Sequence, residues 1–294
     1  MTSGAHRVDV ALVARGLVRS RTLAAHAVRD GRVLADGVAV TRASHPVDDT
    51  TSLVLLPGDV DRYVSRAGHK LAGALDAIDA LADHVLPCAR PVIDGAVCLD
   101  LGASTGGFTQ VLLERGARQV VALDVGHDQL DPTLRADPRV VVREGANARE
   151  LTPDDLPDDV QVVVGDLSFI SLTLILPALR ASAPAADLLL MVKPQFEVGR
   201  ERLGRGGVVR DPELHVTAVL DVVRCATGLG APPVAVAASS LPGPSGNREF
   251  FCWFSPHRRG VDPAWTAAAV RAAVADSEGR QAFVVGATTD GGDQ

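Results

Sequence analysis

Five short apolar runs recur between residues 96 and 194: "AVCLDLG", "QVVALDVG", "VVVREG", "VQVVVGDL" and "DLLLMVKP". They are rich in Val and Leu, and stretches of helical length separate them. A strand with one wet face alternates polar and apolar residues, whereas a strand buried on both faces reads as a continuous apolar run. Parallel strands also need crossover connections of about a dozen residues or more, which the intervening segments supply. The pattern therefore predicts an α/β fold, a Rossmann-like, mostly parallel sheet. Two later runs, "PVAVAAS" and "EFFCWFS", lie close together and read as a closing antiparallel pair, so the last strand runs against the others.

Open sheets of this kind place function at the carboxyl ends of their strands. The first run leads into "LDLGASTGGFTQVLLERG", a strand, a glycine-rich turn and a helix. Gly102, Gly106 and Gly107 allow tight turning and close approach of a ligand, and Ser104 lies between them. Asp124 closes the next strand, where an acidic side chain holds ribose hydroxyls. NAD enzymes and methyltransferases both use such turns. The G-x-S-x-G-G spacing, Asp100 just before the first glycine and the antiparallel final strand favour S-adenosylmethionine.

Among the 29 lysines and arginines, only Lys70 and Lys193 are lysines. A lysine kept in an arginine-rich chain suggests work that arginine cannot do, because only the amine can lose its proton at attainable pH. Lys193 ends the strand "LLLMVK", and Pro194 biases it to an extended conformation. Asp166 ends "VQVVVGD", and Glu249 begins "EFFCWF" at the same sheet edge if that strand is antiparallel. Lys70 lies on "SRAGHKLAGAL", a helix leading into the sheet. Two bases and two acids are thus expected beside the glycine turn. Of these, Lys193 is the candidate base, and a second cation nearby can favour the neutral amine that such a role needs. The loop beyond it, "GRERLGRGGVVRD", carries Arg200, Arg202, Arg205 and Arg210 among glycines and reads as a mobile basic loop for an RNA backbone. His69 and His127 are assigned no catalytic role.

The front of the chain reads as helix, helix, hairpin. Val8, Leu12, Val13 and Leu17 keep helical spacing, Ser20 is a candidate N-cap, and Asp36-Gly37 is a hairpin turn. This order resembles the S4-type RNA-binding module, which presents a basic face to folded RNA. Arg15, Arg19, Arg21, Arg29 and Arg32 would form that face. Net charge is −7, which argues against indiscriminate nucleic-acid affinity, and residues 1–45, with seven Arg against three Asp, are basic against an acidic remainder. The cysteines are scattered, without a C-x-x-C pair, and predict neither disulfides nor zinc. No signal peptide or spanning segment is read, so the chain is expected to be a soluble, cytoplasmic monomer.

Taken together, "SRAGHKL", "LDLGASTGGFT", "GDLSFISL", "VKPQFE" and "GPSGNREFF" resemble the TlyA family within the FtsJ-like ribose 2′-O-methyltransferases, over residues 6–256. The resemblance implies S-adenosylmethionine as cofactor, ribosomal RNA in ribosomal subunits as partner, and methylation of cytidine 2′-hydroxyls. By position it makes Lys70, Asp166, Lys193 and Glu249 a catalytic tetrad and places Phe169 and Ser245 near cofactor or substrate. An older name for the family, haemolysin, carries a rival reading, as does an RNA-binding assembly protein with a vestigial site. The implied organisation is an RNA-binding module over 1–60 and a linker with the start of a helix over 61–69. A methyltransferase domain over 70–260, a C-terminal helix and end segment over 261–285, and a disordered tail over 286–294 complete it.

Overall fold

A computed structural model describes residues 6–18, 20–29, 31–56, 62–84, 91–258, 262–276, 278–279 and 281–284. The tail 286–294 and Arg19 lie outside these residues. Two compact units divide the chain, Met1–Arg62 and Tyr63–Gln294.

In the first unit, β1 (His6–Arg7) runs into α1 (Val8–Ala14), and α2 (Arg21–Arg29) follows. Ser20 Oγ accepts the Leu23 N–H at 3.3 Å, a cap at the position the sequence marks. β2 (Val33–Ala35) and β3 (Val38–Ala39) form an antiparallel hairpin. Its turn residues Asp36 and Gly37 have φ of 49° and 80°. Two successive left-handed residues match the twist of the flanking strands, which is why Asp-Gly stands there. β5 (Leu53–Leu55) pairs with β2, and β4 (Pro46–Val47) pairs with β1. Val8, Leu12, Ala24, Val28, Val33 and Val47 close a small core of this unit's own.

The second unit is built on one eight-stranded sheet. Its strands are β6 (Val97–Leu101), β7 (Gln119–Asp124), β8 (Val140–Glu144), β9 (Val160–Gly165), β10 (Asp187–Val192), β11 (Pro233–Ala238), β12 (Phe250–Phe254) and β13 (Ala282–Val284). Their order is β13-β11-β12-β10-β9-β6-β7-β8. β6 to β10 pair in parallel, while β12 runs antiparallel to both β10 and β11. β13, within the segment expected to hold a helix and an end piece, adds an antiparallel edge strand.

Alternation along each strand divides the core in two. Leu188, Leu190 and Val192 face one cluster with α6 (Leu176–Ser182), α8 (Pro212–Gly228) and α9 (Pro263–Ala275). Leu189 and Met191 face the other, with α3 (Arg66–His84) and α4 (Gly107–Glu114). Each fully buried Leu, Val or Phe contributes about 1.5–3 kcal/mol. All five residues of β12, including Phe250, Phe251, Trp253 and Phe254, are buried, as expected of a strand inside the sheet rather than at its edge. Among the described residues, no helix is long and apolar enough to cross a membrane.

Candidate active site

The glycine turn leaves β6 at Leu101 and reaches α4 at Gly107. Its first glycine, Gly102 (φ 80°), lies so close to β9's exit that a Cβ would stand 3.2 Å from the Asp166 carbonyl. Ser104 is also left-handed, at φ 47°. Its N–H donates to Asp124 Oδ2 at 2.8 Å, while Asp124 Oδ1 accepts the Gly126 N–H at 2.7 Å. Asp124 thus fixes the turn with both oxygens and still lines the adjoining cavity. That cavity, of about 480 Å³, is bounded by Gly102, Ser104, Asp124, Gln129, Asp166 and Phe169 among others.

Three residues expected at the cofactor, Asp100, Gly106 and Gly107, do not line this cavity and pack beside it. A Cβ on Gly107 would lie 2.3 Å from Ser65 Oγ and 2.8 Å from the Gly68 nitrogen, so its bareness admits α3 against α4. Gly106 is itself left-handed at φ 93°, and a Cβ there would meet Leu130 and Leu134, the latter on α5 (Pro132–Arg135). Asp100 is fully buried and does not line the cavity. Its Oδ2 accepts the Thr109 hydroxyl at 2.7 Å and its Oδ1 has no partner. Burial pushes its carboxyl up to about 7 against the Thr109 hydrogen bond, and the carboxylates of Asp166 and Asp124 add to the rise.

A second cavity, of about 300 Å³, shares Gly102, Ser104, Asp166 and Ser168 with the first and brings Lys70, Lys193 and Glu249 to its wall. β10 ends at Val192, and Lys193 is the extended N-cap of a four-residue helix, α7 (Pro194–Glu197), with Pro194 at its first position. The antiparallel course of β12 brings Glu249, just ahead of Phe250, to the same edge. Two ion pairs result. Lys70 Nζ donates to Glu249 Oε2 at 2.5 Å, and Lys193 Nζ lies 2.6 Å from Asp166 Oδ1. The second contact is a charge pairing rather than an aligned hydrogen bond, since the aligned donation from Lys193 goes to Ser168 Oγ at 2.8 Å. Three of the four side chains are nearly out of water, and Asp166 faces the cavity.

The surroundings contain residues that sequence reasoning did not single out. Glu197 accepts from Ser171 Oγ at 2.5 Å and from the Leu172 N–H at 2.9 Å, tying α7 to the loop that follows Asp166. Phe169 is 91% exposed in a left-handed conformation (φ 66°), with its ring centroid 5.3 Å from that of Phe196. Only its place after "GDLS" marked it.

The arginine loop departs from expectation: it is folded onto the body. Val198, Val209 and Ala218 form a small core beneath it, supported by Leu203 and Leu214. Arg200, Arg202 and Arg210 are exposed, as is Ser245. The backbone of Arg205 lies in the turn Arg205–Gly207. In the first unit, Arg15, Arg21 and Arg29 are exposed and Arg32 half-buried. Arg15 donates to the Thr51 and Asp48 carbonyls, both at 2.6 Å, Arg21 to Asp9, and Arg32 to the Leu56 carbonyl. A guanidinium has five donors, so the exposed Arg15 and Arg21 keep others for a ligand.

A mostly parallel sheet with one antiparallel strand set inside it, and paired cavities at the glycine turn, define the class as an α/β methyltransferase. The chain belongs to the FtsJ-like methyltransferase family, whose model matches residues 63–255, and within it to the TlyA group. An S4 domain model matches residues 6–51. The chain is 50% identical to the 16S/23S rRNA (cytidine-2′-O)-methyltransferase TlyA of Mycobacterium tuberculosis, over 93% of this chain and 98% of that protein. It is 35% identical to Hemolysin A of Brachyspira hyodysenteriae, over 84% and 99% of the two chains. A solved structure described as a hemolysin from Streptococcus thermophilus superimposes with a TM-score of 0.68 at 34% identity, covering 93% of this chain and 96% of that one.

Proposed function

We propose that the protein methylates the 2′-hydroxyl of cytidine in ribosomal RNA of the small or large subunit, or both, with S-adenosylmethionine as methyl donor. One observation carries the reading: the cavity lined by Lys70, Asp166, Lys193 and Glu249 opens beside the cavity of the glycine turn and shares its wall. A nucleophile in one then meets a donor in the other.

The larger cavity fits that donor. Its wall carries Asp124 and Asp166 for a cationic ligand and for ribose hydroxyls, with Asn147 and Gln129 as further polar groups. Leu123, Leu167 and Ile170 supply an apolar slot for a heterocycle. The bound donor supplies an electrophilic methyl group.

The chain's own residues prepare the hydroxyl. Lys193 Nζ accepts the ribose hydroxyl proton as the oxygen becomes a nucleophile, general-base catalysis worth about 10²–10⁴-fold. Asp166 and Ser168 hold that amine in place, and Lys70, held by Glu249, is the second cation of the cavity. The arginine face of the S4-type unit and the arginine loop engage the RNA backbone. The relatives named for rRNA cytidine 2′-O-methylation support the substrate. Transfer of labelled methyl to intact ribosomal subunits, followed by nucleotide mapping, tests the reading. Label on a cytidine 2′-oxygen is expected, and its absence from both subunits overturns it.

A further inference from the structure

The arginine loop and the Lys70–Glu249 pair are joined through one buried side chain. Asn247 is 3% exposed. Its Oδ1 accepts the Val209 N–H at 2.9 Å, and its Nδ2 donates to the Gly207 carbonyl at 3.0 Å. A side-chain amide that satisfies an N–H and a carbonyl two residues apart imitates a neighbouring strand, and the complementary pattern fixes which end is oxygen. The remaining polar group of Val209 is also taken, because His215 Nε2 lies 2.9 Å from the Val209 carbonyl and must donate to it. The His215 ring in turn sits with its centroid 5.7 Å from that of Phe250, the residue after Glu249.

On its other side, Asn247 is bound into the turn that carries Glu249. The Gly243 N–H donates to the Asn247 carbonyl at 2.8 Å. Gly243 approaches the Glu249 carboxylate so closely that a Cβ there would stand 2.6 Å from Oε1. A displacement of residues 207–209 therefore reaches the Glu249 carboxylate through two hydrogen bonds and one closed turn.

From this geometry we propose that Asn247 is a positioning residue. It locks the arginine loop to the Lys70–Glu249 pair, so that an RNA backbone held by Arg200 and Arg202 sets the geometry of the cavity. The proposal rests on the rRNA reading above. Asn247 touches neither substrate nor reacting atoms in this account. It acts through the loop on one side and through Glu249 on the other.

A double-mutant cycle on the full chain tests it, with intact ribosomal subunits as the probe. Asn247→Ala should keep S-adenosylmethionine affinity within about threefold in calorimetry, while the log–log salt slope of subunit binding flattens by about 1–2 as phosphate contacts are lost. Single-turnover methylation at saturating subunits should fall by about tenfold or more, because the coupled carboxylate also loosens. Arg200→Gln with Arg202→Gln should weaken binding in the parent, yet cost less than about threefold more in the Asn247→Ala background. Full additivity, or an unchanged salt slope, overturns the coupling. Asn247→Asp, which keeps the acceptor for Val209 and loses the donor to Gly207, should give an intermediate loss. Hydrogen exchange on the unaltered protein reads the clamp directly: slow exchange of the Val209 amide supports it, and exchange at the rate of an open loop overturns it. Parent protein that methylates subunits while the cycle is additive sinks this inference alone. Parent protein that methylates nothing sinks the function reading beneath it.

Discussion

The two ion pairs of the cavity use the same chemistry in different surroundings. In Lys70–Glu249 the side chains are 8% and 1% exposed, and the amine has one close anionic partner. In Lys193–Asp166 they are 9% and 17% exposed, and the amine also reaches Ser168. The first pair is sealed, so removing either member strands a buried charge. The second opens on the cavity through its carboxylate, and its amine can exchange protein oxygens for those of a substrate. An amine that must receive a proton and release it again suits the open pair, whereas a fixed charge suits the sealed one.

The largest expected effect falls on the open pair. Lys193→Arg should retain cofactor binding while methyl transfer drops by about 100- to 10,000-fold, because the charge survives and the base does not. Single-turnover rates across about pH 6–10 check this. Near-parental rates with an unchanged profile would remove the distinction between the pairs. The sealed pair should dominate stability instead: Glu249→Ala is expected to cost about 3–5 kcal/mol in urea unfolding, and Asp166→Ala clearly less, since Ser168 still accepts from the amine left behind. Equal losses would show that both pairs are structural.

Another buried carboxyl, Asp100, is held by the Thr109 hydroxyl rather than by a cation and sharpens the contrast. Its folded-state value near 7 lies above its ordinary value of 3.8. The unfolded chain therefore ionises above about pH 4 while the folded chain keeps its proton to about pH 7, and this group's stabilising contribution falls as pH rises through that window. Asp100→Asn should remove that loss, gaining up to about 4 kcal/mol relative to the parent between pH 4 and pH 7. Parallel denaturation curves at both pH values would contradict it. The smallest effect is expected at Asp124, whose oxygens already accept two backbone N–H groups. Asp124→Ala should weaken S-adenosylmethionine binding about ten- to hundredfold by calorimetry, through lost charge-assisted hydrogen bonds.

What the sequence disclosed depended on how local the cause was. The parallel strands were legible because burial on both faces leaves an apolar run with no alternation, and the hairpin was legible because Asp36-Gly37 meets a local backbone demand. The meeting of Lys70, Asp166, Lys193 and Glu249 could be anticipated because each lies beside a readable strand or helix end. The task of Gly107 could not, because what excludes a Cβ there is Ser65 and the Gly68 backbone, supplied by another segment. β13 was missed because three residues, "AFV", carry too little pattern to separate a strand from a tail. The anchoring of the arginine loop was hidden for a similar reason. Glycines and arginines suggest looseness, while the restraint comes from Asn247 and His215 further along the chain.

The place of β12 also has a consequence for how the protein is made. This strand sits inside the sheet, between β10 and β11, yet it comes near the end of the second unit. Lys70 and Glu249, 179 positions apart, cannot meet until it has been inserted. During synthesis the first unit, with its own core, can fold early, whereas the chemical centre waits for nearly the whole chain to leave the ribosome. Until then β10 exposes an unpaired edge, the kind of surface that invites pairing with another chain. Late insertion of this aromatic strand should therefore limit the rate of folding, through the cost of closing long loops.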